Sequence, residues 1–145
     1  MDVSLREVTA ETVRTICELR PRPPGDKYVA PNAVSIAEAC FDPTAWYRAV
    51  YANDEPVGFV MLEDDIANRE YFLWRLMIAE GHERKGYGRR VVDLLCDYVR
   101  TRPGATELLT SWGPGDDGPE RFYRRIGFEP TGEVDDGEIV ARRPL

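Results

Sequence analysis

An α/β fold, with a mixed, mostly antiparallel central sheet flanked by helices, is predicted by three observations in this 145-residue chain. Strand-like runs follow one another between residues 46 and 79 with only short polar connections, the mark of an antiparallel meander. One strongly amphipathic helix then precedes another strand, which makes a parallel-type crossover, read as the only one in the chain. A last pair of strands flanks the turn signal Asp135-Asp136-Gly137. The length suits one domain, residues 1–145, with a single core.

The elements follow in order. Residues 3–8, VSLREV, alternate as a strand with Val3 and Leu5 on one face. Thr9 is placed to N-cap a helix through about Leu19, with Val13, Ile16 and Cys17 at core spacing. Four prolines and a glycine between Pro21 and Pro31 forbid regular structure, so a surface loop is expected. A short helix starts at Asn32. Strands Trp46–Ala52 and Pro56–Leu62 are joined by Asn53-Asp54-Glu55, and the polar stretch EDDIANRE reads as the next connection. It leads into YFLWRLMIA, rich in aromatic and branched residues. Strict alternation there puts Glu70, Phe72, Trp74, Leu76 and Ile78 on one face, and Tyr71, Leu73, Arg75 and Met77 on the other.

Gly88–Arg102 is the best helix, with Val91, Val92, Leu95, Cys96 and Val99 as its apolar stripe and Pro103-Gly104 as its stop. Thr106–Trp112 is a strand. Pro119 opens a short helix whose apolar face is Phe122 and Ile126, with Tyr123 about one-quarter of the way round from it, free of the core or packed on it, and Gly127 ends it. The final strands lie around Phe128–Val134 and Glu138–Arg142.

Composition narrows the function. A net charge of -7 argues against a nucleic-acid binder and fits a small cationic partner, or solubility alone. No apolar run approaches the ~18 residues of a membrane span, and the start MDVSLREVTAET lacks a secretory pattern, so a cytoplasmic protein is expected. Cys17, Cys40 and Cys96 are odd in number and widely spaced, which suits reduced thiols. His82 is the only histidine, so triads and multi-histidine metal sites are not implied. No metal is expected.

Against that acidic background, ERKGYGRR (residues 83–90) concentrates positive charge between two glycines, after a strand and at the start of the best helix. A helix N-terminus offers outward N–H groups and about half a positive charge. Gly86 and Gly88 let the backbone approach a ligand, and Arg84, Lys85, Arg89 and Arg90 add charge, which together make a phosphate cradle. Neither G-x-G-x-x-G nor a P-loop is matched. A tight turn with a solvated basic rim explains the two glycines equally well.

The segment RLMIAEGHERKGYGRRVVDLLCDYV resembles the acetyl-CoA-binding segment of the GNAT N-acetyltransferases, whose signature is Q/R-x-x-G-x-G/A. Downstream, RFYRRIGFEPTGE resembles that family's F/L-Y-x-K-x-G-F element, in the right order and at the right separation. Two further segments, YVAPNAVSIAEACFDPTAWYRAVYANDEPVGFVML and FYRRIGFEPTGEVDDGEIVARRPL, look like the bacterial spermine/spermidine (diamine) acetyltransferase-like branch. The resemblance spans nearly the whole chain and implies a GNAT-type sheet, acetyl-CoA as donor, and transfer to the primary amine of a small molecule, with a polyamine or diamine leading. An aminoglycoside, an amino acid or a protein N-terminus is the alternative acceptor. A non-catalytic acyl-CoA-binding module is the alternative role. Dimers are frequent in the family, so a homodimer is compatible.

Roles carried over by the resemblance are specific. Tyr123 matches the general-acid tyrosine, and a phenol of ordinary pKa near 10 is protonated at neutral pH. Met77 and Ile78 stand where the strand offers main-chain groups to the thioester and the pantetheine arm. Glu83, Arg84, Lys85, Gly86, Tyr87, Gly88 and Arg89 form the pyrophosphate loop, with Tyr87 packed on the cofactor or only on the turn. Glu83 departs from the Gln or Arg of the signature, and a carboxylate facing pyrophosphate costs about 1 kcal/mol at surface dielectric unless it turns away. Glu70 is the candidate base, directly or through water, and Glu38 the candidate for binding a substrate ammonium. Either reads equally as a solvated charge. His82 supports the turn, and Cys96 is inert core, so transfer is expected to be direct.

Overall fold

The computed structural model describes residues 2–145. The strands are β1 (Val3–Arg6), β2 (Ala45–Ala52), β3 (Glu55–Asp65), β4 (Glu70–Ile78), β5 (Glu107–Trp112), β6 (Glu129–Asp135) and β7 (Glu138–Pro144). The helices are α1 (Val13–Glu18), α2 (Asn32–Ala39), α3 (Tyr87–Arg100) and α4 (Glu120–Arg125), with a single 3-10 turn, Gly25–Lys27, in the proline-rich loop. The strands make one mixed sheet in the order β1-β2-β3-β4-β5-β7-β6.

The α1–α2 side buries Ile16, Ala49, Phe59, Met61, Met77 and Ala79. The α3–α4 side buries the predicted α3 stripe together with Val60, Leu62, Tyr71, Leu73, Trp112 and Phe128. Because each face is covered by different helices, every strand must alternate correctly or bury the wrong side chains.

Four expectations are corrected. Thr9 does not cap α1. Its N–H donates to Thr12 Oγ1 at 2.9 Å and forms a preceding turn, so the helix begins at Val13. The stretch EDDIANRE is not wholly a connection. β3 runs to Asp65, so Asp64 faces α3, accepting from Tyr98 Oη at 2.9 Å and Arg102 Nε at 3.1 Å, while Glu63 and Asp65 face the other side.

The crossover through α3 is not the only one. β5 leads through α4 to β6, which runs parallel to β5 with β7 inserted between them. The hairpin between those last strands turns at Asp136 (φ 49°) and Gly137 (φ 78°), the two positive values that a type I′ turn requires.

The fourth correction matters most. Met61 pairs with Arg75 but Leu62 pairs with Leu73, so Trp74 is an extra residue, a β-bulge. Parity flips across it. Tyr71 and Leu73 share the α3 side with Leu76 and Ile78, whereas Trp74 and Met77 pack on the α1–α2 side. Strict alternation along β4 is therefore broken at its middle.

The bulge coincides with the end of the β4–β5 ladder. The two parallel strands are in register at Phe72↔Leu109 and Leu73↔Thr110, after which Thr110 Oγ1 closes the ladder by donating to the Leu73 carbonyl at 3.1 Å. β4 bends away with β3, and β5 follows β7.

The far end of β4 is held close to β3 at Gly58, where an added Cβ would press on the Met77 carbonyl oxygen and lie 3.0 Å from Ile78 Cδ1. Gly58→Ala is expected to lower the unfolding free energy by about 2 kcal/mol, as overpacked cores do. Urea denaturation checks this, and an unchanged midpoint would mean that β4 yields freely at this point.

Candidate active site

Parting β4 from β5 opens a cleft of about 850 Å³, within the range of small-ligand sites. Its walls are Trp74 to Ile78 of β4 and Thr110 to Trp112 of β5. The proline-rich loop roofs it. Tyr28 Oη donates to Asp117 in the β5–α4 loop, and Lys27 Nζ lies 2.9 Å from the same carboxylate. On the other flank Arg22 reaches Glu83 at 2.9 Å.

Main-chain geometry gives the cleft donors. Ala79 N–H donates to the Val57 carbonyl at 2.8 Å, so alternation turns Met77's amide toward β3 and Ile78's toward the parted side. The Met77 side chain is buried, with Asn32 Nδ2 at 3.7 Å from its sulfur.

At one end of the cleft stands the start of α3. Its N-cap is Gly86 at φ 80°, and the first helical bond runs from Arg90 N–H to the Gly86 carbonyl at 3.1 Å. The amides of Gly88 and Arg89 precede that bond and point out along the helix axis. No acidic side chain sits in the first turn, while Arg84, Lys85 and Arg89 are exposed around it.

The two motif glycines have different reasons. Gly86 needs a left-handed backbone and has open space where a Cβ would stand. Gly88 is tight: a Cβ there would come within 3.0 Å of the Phe122 ring. Tyr87 is 5% exposed and belongs to the core beside α3, so its side chain packs on the protein.

Glu83 turns away from this end. Its carboxylate takes Arg22 and the Gly81 N–H at 3.1 Å. Partial desolvation pushes its pKa up, yet the Arg22 and Gly81 hydrogen bonds outweigh that and hold it below the ordinary carboxylate range. His82 supports the turn through its N–H to the Ala79 carbonyl at 3.0 Å.

Tyr123 lines the cleft from below, and its position corrects the helical-wheel expectation. It is the buried residue of α4, while Phe122 is half-buried against Gly88. Its ring stacks on Trp112 at 5.9 Å and meets Phe128 edge-on at 5.4 Å. Burial, aided by the Glu138 charge and opposed by the hydrogen bond with Thr110, pushes the phenol up to about 12. It stays protonated throughout the physiological range.

The opposite end is acidic. Glu70 lines the cleft there as expected, with Glu63 beside it, while Asp117 lines it from the β5–α4 loop and Asp135, Asp136 and Glu138 from the β6–β7 hairpin. Desolvation and the charges of Asp42, Asp65 and Glu70 push the Glu63 carboxyl above its ordinary range. Glu38 reaches the cleft only through Arg75, whose Nη1 bonds Glu38 at 2.6 Å and Ser35 Oγ at 3.0 Å. Its charge is matched by Arg75.

Sequence reasoning missed Glu63, Thr110 and Glu138. Glu63 was hidden inside an apparent loop. Alternation along β5 and β7 carried the other two, but only strand order shows that Glu138 comes within reach of Ser111, accepting from it at 2.7 Å.

Residues 13–128 match the acetyltransferase (GNAT) family. The chain is similar, at 25% identity over all of both chains, to a spermine/spermidine N(1)-acetyltransferase of Bacillus subtilis strain 168. Its fold matches that of PaiA N-acetyltransferase from Thermoplasma acidophilum in complex with coenzyme A, with a TM-score of 0.73, 13% identity and full coverage of both chains. It also matches aminoglycoside acetyltransferase AAC(6')-Ib in complex with coenzyme A, with a TM-score of 0.75, 20% identity, and coverage of 97% of this chain and 93% of that one. With two parted strands, an anion-ready helix start and a family match across four-fifths of its length, the chain belongs to the acetyltransferase (GNAT) family, whose donor is acetyl-CoA.

Proposed function

We propose that this N-acetyltransferase acts on the primary amine of a small polycation, a polyamine or diamine, by direct transfer within a ternary complex. The observation that carries the reading is the charge difference along β4: the start of α3 and its cations pack beside Ile78 at one end, and Glu63 and Glu70 line the cleft at the other. A phosphate-bearing donor and an ammonium-bearing acceptor are thereby drawn to opposite ends of one cavity. The full-length likeness to a spermine/spermidine acetyltransferase favours the linear polyamine over an aminoglycoside, for which only the fold likeness speaks.

The residues present fit acetyl-CoA. The outward amides of Gly88 and Arg89 with Arg84 and Lys85 suit a pyrophosphate, and the parted strands suit an extended arm. Bound acetyl-CoA supplies an acetyl group activated as a thioester.

Each further task falls to a residue of this chain. Ile78 N–H, turned into the parted side, donates to negative charge developing on the acyl oxygen. Glu70 takes a proton from the acceptor ammonium, directly or through water, to free the nitrogen lone pair. Glu63 adds negative charge that holds a cation there. Tyr123, a phenol protonated at neutral pH and held more firmly so by burial, shares its proton with the departing sulfur as the C–S bond breaks. Glu38 orients Arg75 at the cleft wall, where the guanidinium can meet the acceptor end. A covalent acetyl-enzyme finds no support: Cys96 lies in the core with its thiol pushed up by burial, and Cys40 is exposed at the end of α2.

Three outcomes are expected. Tyr123→Phe keeps the stacked ring and should lower kcat by about 10²-fold or more while the acetyl-CoA Kd stays within about twofold. Stopped-flow turnover and calorimetry measure the two quantities, and an unaltered kcat removes Tyr123 from the chemistry.

Because Glu83 is held by Arg22, Glu83→Gln should change the acetyl-CoA Kd by less than about threefold, the scale of an exposed ion pair. A gain of more than tenfold would mean that its charge faces the phosphates.

In a thiol-release screen of polyamines, aminoglycosides and amino acids, linear polyamines should turn over fastest. Glu63→Gln should raise their KM about threefold with kcat nearly unchanged. The folded-state pKa of Glu63 is raised, so it gains its proton first as pH falls. The polyamine KM should therefore climb at a higher pH than an ordinary carboxylate would dictate, and Glu63→Gln should abolish that early rise. Failure of every polyamine alongside turnover of an amino acid would reject the acceptor class.

A further inference from the structure

Among the described residues the buried polar side chains are Asn32, Ser35 and Thr110. The first two hold local structure: Asn32 donates to the Ile16 carbonyl, and Ser35 meets the Pro31 carbonyl and Arg75. Thr110 differs, because one of its partners is the Tyr123 hydroxyl.

Counting protons shows what that partnership implies. A hydroxyl has one proton and two lone pairs. Thr110 donates its proton to the Leu73 carbonyl at 3.1 Å, at the last register pair of the β4–β5 ladder. With that proton committed, Thr110 meets Tyr123 through a lone pair, so the phenol proton points at Thr110 in the resting site. A phenol also has a single proton, and while Thr110 holds it, none is offered to a departing sulfur.

The surroundings say how this is resolved. Burial and the Glu138 charge both favour the neutral phenol, and the ring's neighbours Phe122 and Phe128 carry no donor. The Thr110 hydroxyl is the neighbour that favours an ionised oxygen, and it does so only by donating to it.

We infer that Thr110 is a positioning residue for the acid: its O–H turns from the Leu73 carbonyl to the Tyr123 oxygen, which frees the phenol proton for the departing sulfur. The inference rests on the acid role proposed above for Tyr123 and adds the group that makes its proton available. Only one O–H bond rotates, so ring and backbone stay in place. The turn gives up a bond to a neutral carbonyl and gains one to a developing anion, and charge-assisted bonds are about twice as strong. As the C–S bond breaks, the phenol proton passes to sulfur, leaving a thiol and a phenolate held by Thr110. The attacking nitrogen sheds a proton as it becomes an amide. The phenolate takes that proton, and Thr110 returns to Leu73.

A double-substitution cycle in the full chain tests this, with the acceptor that turns over fastest in the thiol-release screen. Thr110→Val keeps the shape and removes the hydroxyl. It should lower kcat about tenfold, the scale of one buried hydrogen bond, while the acceptor KM and the acetyl-CoA Kd stay within about twofold. Thr110→Ser returns the hydroxyl and should restore kcat to within about threefold of the unaltered chain. In a Tyr123→Phe background, Thr110→Val should lower kcat no further, because no phenol proton is left to release. Thr110→Ala, which cannot clash, closes the same cycle if valine unseats the strand.

Equal losses in both backgrounds overturn the inference, since they assign Thr110 to the strand ladder alone. So does an unaltered kcat in Thr110→Val, or a loss that serine does not rescue. Should Tyr123→Phe by itself leave kcat unaltered, the acid role falls first and this inference with it, and the single variant shows that before the cycle is closed.

Discussion

One extra residue in β4 governs the molecule. Trp74 has no opposite number on β3, and the β4–β5 ladder ends beside it, at Leu73 and Thr110. A bulge sharpens strand twist, so β4 leaves with β3 while β5 stays with β7. Both halves of the sheet keep their pairings, and the opening between them costs only the ladder bonds that would have continued there. Those unspent main-chain groups face the cleft, and Ile78 N–H is among them. The same bulge flips the parity of β4, so that Leu76 and Ile78 join the α3 side while Met77 packs under α1 and α2. Site and core are thus set by one irregularity.

Charge is organised around that opening. A chain of net charge -7 repels phosphates at long range, so an anion site requires local cations and a local absence of carboxylates. The first turn of α3 has no acidic residue, and the carboxylate of the preceding loop, Glu83, is held by Arg22 and the Gly81 amide. Negative charge gathers at the other end, where desolvation, with the nearby charges of Asp42, Asp65 and Glu70, pushes Glu63 upward. The proline-rich loop contributes to both ends, offering Arg22 to Glu83 and Tyr28 with Lys27 to Asp117.

What the sequence made legible follows from periodicity and local rules. The α3 stripe, the Asp136-Gly137 turn and the order of the elements all depend on neighbours within a few residues, and all are as expected. The glycine motif was visible, but the separate reasons for Gly86 and Gly88 were not, since Phe122 reaches Gly88 from thirty-four positions away. The bulge at Trp74 breaks a period that sequence reading must assume. Glu63 was lost because its run of acids imitates a loop, although each of those acids has a strand neighbour to face. Residues that meet only through strand order, such as Ser111 and Glu138, leave no trace in spacing.

Tyr123 shows why amphipathic patterning misleads at such a site. Counting from Phe122 and Ile126 turns it outward, yet its ring is the centre of an aromatic group with Trp112 and Phe128. The ring satisfies the core while the hydroxyl reaches the cleft with Thr110 beside it. Burial then does two things at once: it fixes the ring's direction and it raises the phenol's pKa, so the proton is present at any pH at which the protein works. A surface tyrosine would hold its proton nearly as well but could not hold its direction. In the acid role proposed for Tyr123, the cost would be that full proton transfer to sulfur becomes harder as the pKa climbs, which favours sharing the proton along a hydrogen bond while charge develops. For that proposed role, a tyrosine in the core exchanges some acidity for alignment, and the stack with Trp112 is what keeps that alignment.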